Sequence, residues 1–382
     1  MTQGKSPNKK TLEGDVRDTF KLLRGASFNE FLDNAEVIKG YNRISGSVHF
    51  DRSVVFDDSS LLDIKPGSII TLGPGVVLYS SGLVKAKGNK KNGFISFKGT
   101  PGSSGNIFLQ GEDNKSNIFD YCLFQDMHGP PVGLGFDPAL VGGGAILSTN
   151  VDLLIANSKF YQVSSGSGGA IDFRNSKLKI VNTVFQDCSS LYVGGSVKAL
   201  SASAEINNSK FITSHAGHGG AMYLMESKLK SSKNVMYDCS AETGGAIVLA
   251  NGCSATIKDI KIAGCKGLRG AAIDITGSKV KLSGGEIRGS VAGDHLGTIF
   301  SVNSSLRVVK TNIAENYAFA GSAICSKNGS LTLIGAKIRD NVSTLTTGAI
   351  YLMDSTYSSW FSTFKNNVPG NVVRVKEVSD VK

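Results

Sequence analysis

Three columns of like residues, each advancing by 25 or 26 positions, run in phase through the last two thirds of the chain, and no other feature restricts its fold as much. One is the small residue after a Gly-Gly pair or its degraded form: Ala145, Ala170, Ser196, Ala221, Ala246, Ala272, Thr298, Ala323 and Ala349. The second is a large apolar residue at Phe160, Phe185, Phe211, Met236, Ile262, Ile287, Ile313, Ile338 and Phe364. The third passes through Leu153, Leu178, Ala204, Leu229, Ala255, Val280, Leu306, Leu331 and Tyr357. Self-similarity at such a period marks a solenoid or propeller-like array. A leucine-rich repeat would carry one strand and a Leu/Asn consensus per unit, whereas each period here holds three short alternating stretches. After each small residue comes an apolar one, as at Ile146, Ile171 and Val197, and then a mixed set, Leu147, Asp172 and Lys198. That alternation is a strand with one face in a core. Three strands per turn, like stacked on like at ~4.8 Å, make an all-β, right-handed parallel β-helix of about 12 coils.

The composition agrees. With 41% hydrophobic and 19% charged residues, the chain is not disordered. Its 46 glycines lack the every-third spacing of collagen and are placed for tight corners, where φ > 0 costs glycine nothing. Three positions after the Phe column come Val163, Cys188, Ser214, Cys239, Cys265, Ser290, Asn316, Asn341 and Asn367. These suit an inward turn column in which one Asn bonds to the next. The six cysteines are too scattered for a disulfide scaffold or a zinc site. Cys239 and Cys265 share a column, where parallel side chains would strain a bridge, so free thiols are expected. No cofactor or metal is called for, and no run reaches the ~18 apolar residues of a membrane span.

Residues 1–10 read as a disordered basic start without the apolar core of a secretory signal. Residues 11–43 read as a helical N-terminal cap: Ser27 and Glu30 form a capping-box pattern, with Val16, Phe20, Leu23, Phe28, Phe31 and Leu32 at helical spacing. Such a cap covers the open end of a solenoid. The β-helix is assigned to 44–375, since Leu61 to Phe97 keeps its style of short apolar runs and Gly turns. Phe124 lies 36 residues before Phe160, which places a loop insertion at 129–141 on one corner. A short tail, 376–382, follows a thin closing strand, pointing to an adjoining domain or partner at the C-terminal end.

GGAI strings alternating with FKNN at Phe364 to Asn367, IAEN at Ile313 to Asn316 and IRDN at Ile338 to Asn341 resemble the repeats of chlamydial polymorphic outer-membrane proteins. More broadly they resemble the pectate-lyase-like superfamily of right-handed β-helices. The first resemblance implies a surface passenger domain with an adhesive role. It places the chain at the cell surface or outside the cell as part of a larger protein, with a cytoplasmic location left open by the missing signal.

Lys+Arg 41 against Asp+Glu 31 gives +10, and the excess sits in columns. Lys159, Lys210 and Lys261, with Lys337, precede the Phe column; Lys177, Lys179, Lys228, Lys230, Lys279 and Lys281 flank the third column. These are the candidate ligand-binding residues, for an anionic glycan or a surface protein. Nucleic acid is disfavoured, because the stripes lack interleaved aromatics for stacking. The expected function is a non-catalytic rigid rod. The alternative is a polysaccharide lyase, hydrolase or epimerase, for which His218, Glu242, Arg269, Asp294 and His295, at neighbouring corner offsets, are the catalytic candidates. Asp172, Asp187, Asp238 and Asp274 each sit alone in a column, and Asp187 and Asp238 read as turn residues.

Overall fold

Side chains that alternate in exposure along most strands of the second and third sheets, beside a first sheet whose strands are largely buried, fit a coil in which each strand lies on its own counterpart one turn later. The computed structural model describes residues 35–100, 105–111, 116–129, 142–293 and 296–375. The described strands form a right-handed parallel β-solenoid with three long sheets of 14, 13 and 13 strands, taken in strict coil order. The sequence columns are the observed register: Ile146 pairs with Ile171, Leu153 with Leu178 and Phe160 with Phe185.

Inward positions stack into one continuous core. Phe97, Phe124, Phe160, Phe185 and Phe211 lie face on face at centroid separations of 4.9, 4.5, 4.7 and 4.8 Å. Phe124 and Phe160 keep the stack although 36 residues separate them, so the coil is unbroken across that longer interval. Residues 130–141 of that insertion, residues 1–34 and the tail 376–382 lie outside the described residues. Residues 35–43, the end of the segment read as a helical cap, carry strands Glu36–Ile38 and Tyr41–Ile44, which pair with Val54–Phe56 and Leu61–Ile64. The alternating YNRI string joins the first coil, so strands begin ahead of residue 44.

Corners are made by single left-handed residues. Asn157, Asn182 and Asn208 turn one corner at φ 48°, 51° and 52°, and Asp187 and Asp238 turn another at 52° and 50°, a conformation that Asn and Asp tolerate better than most. A further bend uses the Gly-Gly pairs. Gly219 has φ 66°, and a Cβ on Gly220 would meet the carbonyl oxygen of Gly245 in the next coil at 2.2 Å. Next to this bend, short two-stranded sheets widen the coil, among them Ser189–Val193 against Ser164–Ser167 and Lys266–Arg269 against Ser240–Thr243.

The polar turn column is buried and bonded. Asn316 Nδ2 donates to Asn341 Oδ1 at 3.0 Å, and Asn341 Nδ2 to Asn367 Oδ1 at 3.1 Å. Each acceptor oxygen also takes a backbone N–H from the previous coil. All six cysteines are free and buried, and burial pushes the Cys188 and Cys325 thiols up to about 12.

Candidate functional site

Strand alternation fixes which side chains reach solvent, and on the second sheet these are lysines. In strands Lys177–Val181, Lys228–Ser232 and Lys279–Ser283 the first and third residues are exposed and the second and fourth are buried. Register then sets their neighbours. Lys177 lies beside Ser203 and Ser203 beside Lys228, then Ser254 and Lys279; Lys179, Glu205, Lys230, Thr256, Lys281 and Arg307 form the companion row. Lysine pairs therefore occupy every second coil, about 9.6 Å apart along the axis. The third sheet does the same one coil out of step, with Lys159, Val184, Lys210, Val235, Lys261 and Glu286 in succession. From Lys159 to Lys281 these lysines thus alternate between the two faces coil by coil, which spaces like charges by about a Debye length. Lys179 reaches Glu205 at 3.4 Å and Lys177 reaches Asp152 at 3.9 Å. Among the described residues, Lys228, Lys230, Lys279 and Lys281 have no ion pair.

The corner cluster is drawn together only in part. His218, Thr243 and Arg269 are register partners in successive coils, leaving His218 and Arg269 about two rungs apart. His218 Nδ1 shares a hydrogen bond with Thr243 Oγ1 at 2.8 Å. Arg269 turns to the outer face of the first sheet, where its Nε donates to Asp274 Oδ2 at 2.6 Å and its guanidinium lies 5.0 Å over Phe300. Asp274 is 1% exposed; burial pushes its carboxyl above the usual range, against the opposing pull of Arg269. Glu242 is exposed one position along its strand and lines an open groove of about 580 Å³ with His215, Lys266, Leu191, Leu268 and Val291. Asp294 and His295 lie outside the described residues.

The other buried carboxylate is saturated as well. Asp172 accepts from Arg174 Nε at 3.0 Å and Nη2 at 2.7 Å, and from Lys198 Nζ at 3.0 Å. Asp172 and Asp274, each expected alone in a column, instead share one, because the 25–26-residue register carries Asp172 onto Asp274 four coils later; they lie about 19 Å apart, well beyond the ~5 to 9.5 Å of a glycosidase pair. Asp187 accepts from Thr213 in the next coil, in keeping with its turn position.

No family model matches the chain, and no curated protein does. Among solved structures, a periplasmic alginate epimerase aligns with 11% identity over 90% of each chain, at a TM-score of 0.43. The strand topology itself shows the solenoid that the sequence resemblance implied, while the chlamydial polymorphic outer-membrane family is not shown by any match.

Two features escape the sequence reading. The Arg269–Asp274 pair spans the Gly270 bend, and five residues of separation gave no reason to join them. Leu191, Tyr192 and Leu268, at 65%, 48% and 52% exposure, project from the short corner sheets, whose strands fall outside the three-column pattern. Among the described residues no His, Cys, Asp and Glu group has the makings of a metal site, and no helix is long and apolar enough to cross a membrane.

Proposed function

We propose that this chain is a non-catalytic binding rod that holds an anionic glycan on the lysine-bearing faces of its second and third sheets. The observation that carries the reading is the set Lys228, Lys230, Lys279 and Lys281: exposed, free of ion pairs among the described residues, and fixed on strands rather than loops. One exposed ion pair contributes only about 0.2–1 kcal/mol, so useful affinity comes from many such contacts engaged at once on one polymer. A lattice of cations on a stiff backbone supplies that multiplicity. Two facts speak for binding without turnover: Asp172 is held by Arg174 and Lys198 and Asp274 by Arg269, and His218 and Arg269 stand two coils apart with Thr243 between them. The reading belongs at a cell surface or outside the cell, where acidic glycans are met.

The test replaces the four lysines by the residues of the intervening coils, Lys228→Ser, Lys230→Thr, Lys279→Ser and Lys281→Thr, substitutions the same sheet already accommodates. Binding to immobilised hyaluronan and polygalacturonate is followed at low and high salt. Retention that weakens with salt and falls roughly tenfold in the variant is the expected result. Unchanged binding in the variant, or release of unsaturated products or new reducing ends, overturns it.

A further inference from the structure

The lysines repeat every second coil, and this period carries more information than their charge. A solubilising face needs no order, and a face that merely attracts polyanions gains most from a cation in every coil. Here Lys177, Lys228 and Lys279 are separated by Ser203 and Ser254, and Lys179, Lys230 and Lys281 by Glu205 and Thr256. Hydroxyls fill three of these four intervening places and an acid the fourth. Unshifted parallel register from coil to coil puts successive members of each row on neighbouring strands. Along such a row the rung spacing is ~4.8 Å, close to the advance of one sugar ring in an extended polysaccharide.

We infer that the second sheet is matched to a glycan that lies along the solenoid axis and carries its carboxylate or sulfate on every second sugar. The charged sugar sits over a lysine pair, and the uncharged sugar sits over the first and third positions of the intervening strands, where Ser203, Ser254 and Thr256 offer hydroxyls and the exposed Lys258 lies beyond them at the strand end. Between Lys179 and Lys281 Glu205 is the one acid in the row; it stands in an intervening coil, paired with Lys179 at 3.4 Å, so that coil offers no cation to a polymer charged on every sugar. The inference rests on the glycan-binding reading above and narrows it to a class of ligand.

The experiment compares hyaluronan oligosaccharides, with a carboxylate on alternate sugars, and polygalacturonate oligosaccharides of matched sugar number, with a carboxylate on each. Binding is measured to the full chain and to a variant with lysine in every coil, Ser203→Lys, Glu205→Lys, Ser254→Lys and Thr256→Lys. The wild-type chain is expected to hold hyaluronan about threefold or more tightly, although polygalacturonate carries twice the charge, and the variant is expected to reverse that order. Should the variant fail to fold, the wild-type comparison decides alone. Equal or tighter binding of polygalacturonate to the wild-type chain overturns the alternate-sugar match while leaving glycan binding intact. Unchanged binding of both polymers when Lys228, Lys230, Lys279 and Lys281 are replaced by Ser and Thr overturns the glycan reading itself, and this inference with it.

Discussion

At the scale of single residues, the molecule handles buried polarity in two ways. Asn341 is neutral and fully bonded, donating to Asn367 Oδ1, to the Ile313 carbonyl at 2.9 Å and to its own turn, so its burial leaves nothing unpaired. Asp274 is a buried carboxyl with one cationic partner, the half-exposed Arg269, and it also accepts from Thr276 Oγ1 at 3.2 Å. A carboxyl whose folded pKa is raised stabilises the fold below its unfolded pKa and loses that contribution as pH rises through the folded value. Arg269→Met removes the compensating cation and is expected to cost about 2 kcal/mol at about pH 7.5, less than a fully buried pair because the arginine is partly solvated. The deficit should shrink as the pH is lowered through the acid range and the raised carboxyl protonates. Thermal unfolding of both proteins across that range checks the sign; a pH-independent gap would mean that Asp274 is not the group left exposed to the loss.

At the scale of the coil, glycine has two separate jobs. Gly220 allows close stacking: its missing Cβ makes room for the Gly245 carbonyl oxygen, and Gly195 does the same beneath it. Gly252 only supplies a left-handed turn, with no atom within 4 Å of a Cβ placed there. Gly220→Ala is expected to cost at least about 2 kcal/mol, since two backbones must part, and Gly252→Ala about 1 kcal/mol. Denaturant melts of the two variants read the difference. The coil was legible in the sequence because a fixed period converts alternation directly into register, and the Phe, Asn and lysine columns fall where that period puts them. The corner chemistry was less so. Arg269 meets Asp274 across a bend that alternation does not describe, and Glu242 faces a groove on a short strand with no counterpart in most coils. The helical reading of 11–43 rests on local spacing alone, which does not reveal that residues 36–44 carry strands of the first described coil.

At the scale of the whole solenoid, each coil contacts its neighbours alone, so stability is close to a sum over coils and interfaces. Excising Val197–Ala246 removes two coils and joins Ser196 to Ile247 in register. The lysine pairs at Lys177 and Lys279 remain on alternate coils. Excising Val197–Ala221 removes one coil, joins Ser196 to Met222, and sets Lys177 and Lys179 directly beside Lys228 and Lys230. Like charges directly opposed on neighbouring strands are destabilising. Both shortened chains are expected to fold. The single-coil excision should gain more thermal stability from added salt, and equal salt responses would show that the lysine spacing carries no electrostatic cost.

Because every ladder hydrogen bond of the three long sheets runs parallel to the axis, end-to-end tension loads the bonds one rung at a time, as in a zipper. A bending force is met by three stacked sheets together. A rod built this way holds its shape against whatever lies along its sides, yet yields in discrete steps of one coil when pulled from its ends. It behaves as a stiff beam in flexure and a sequential extensible tether in traction.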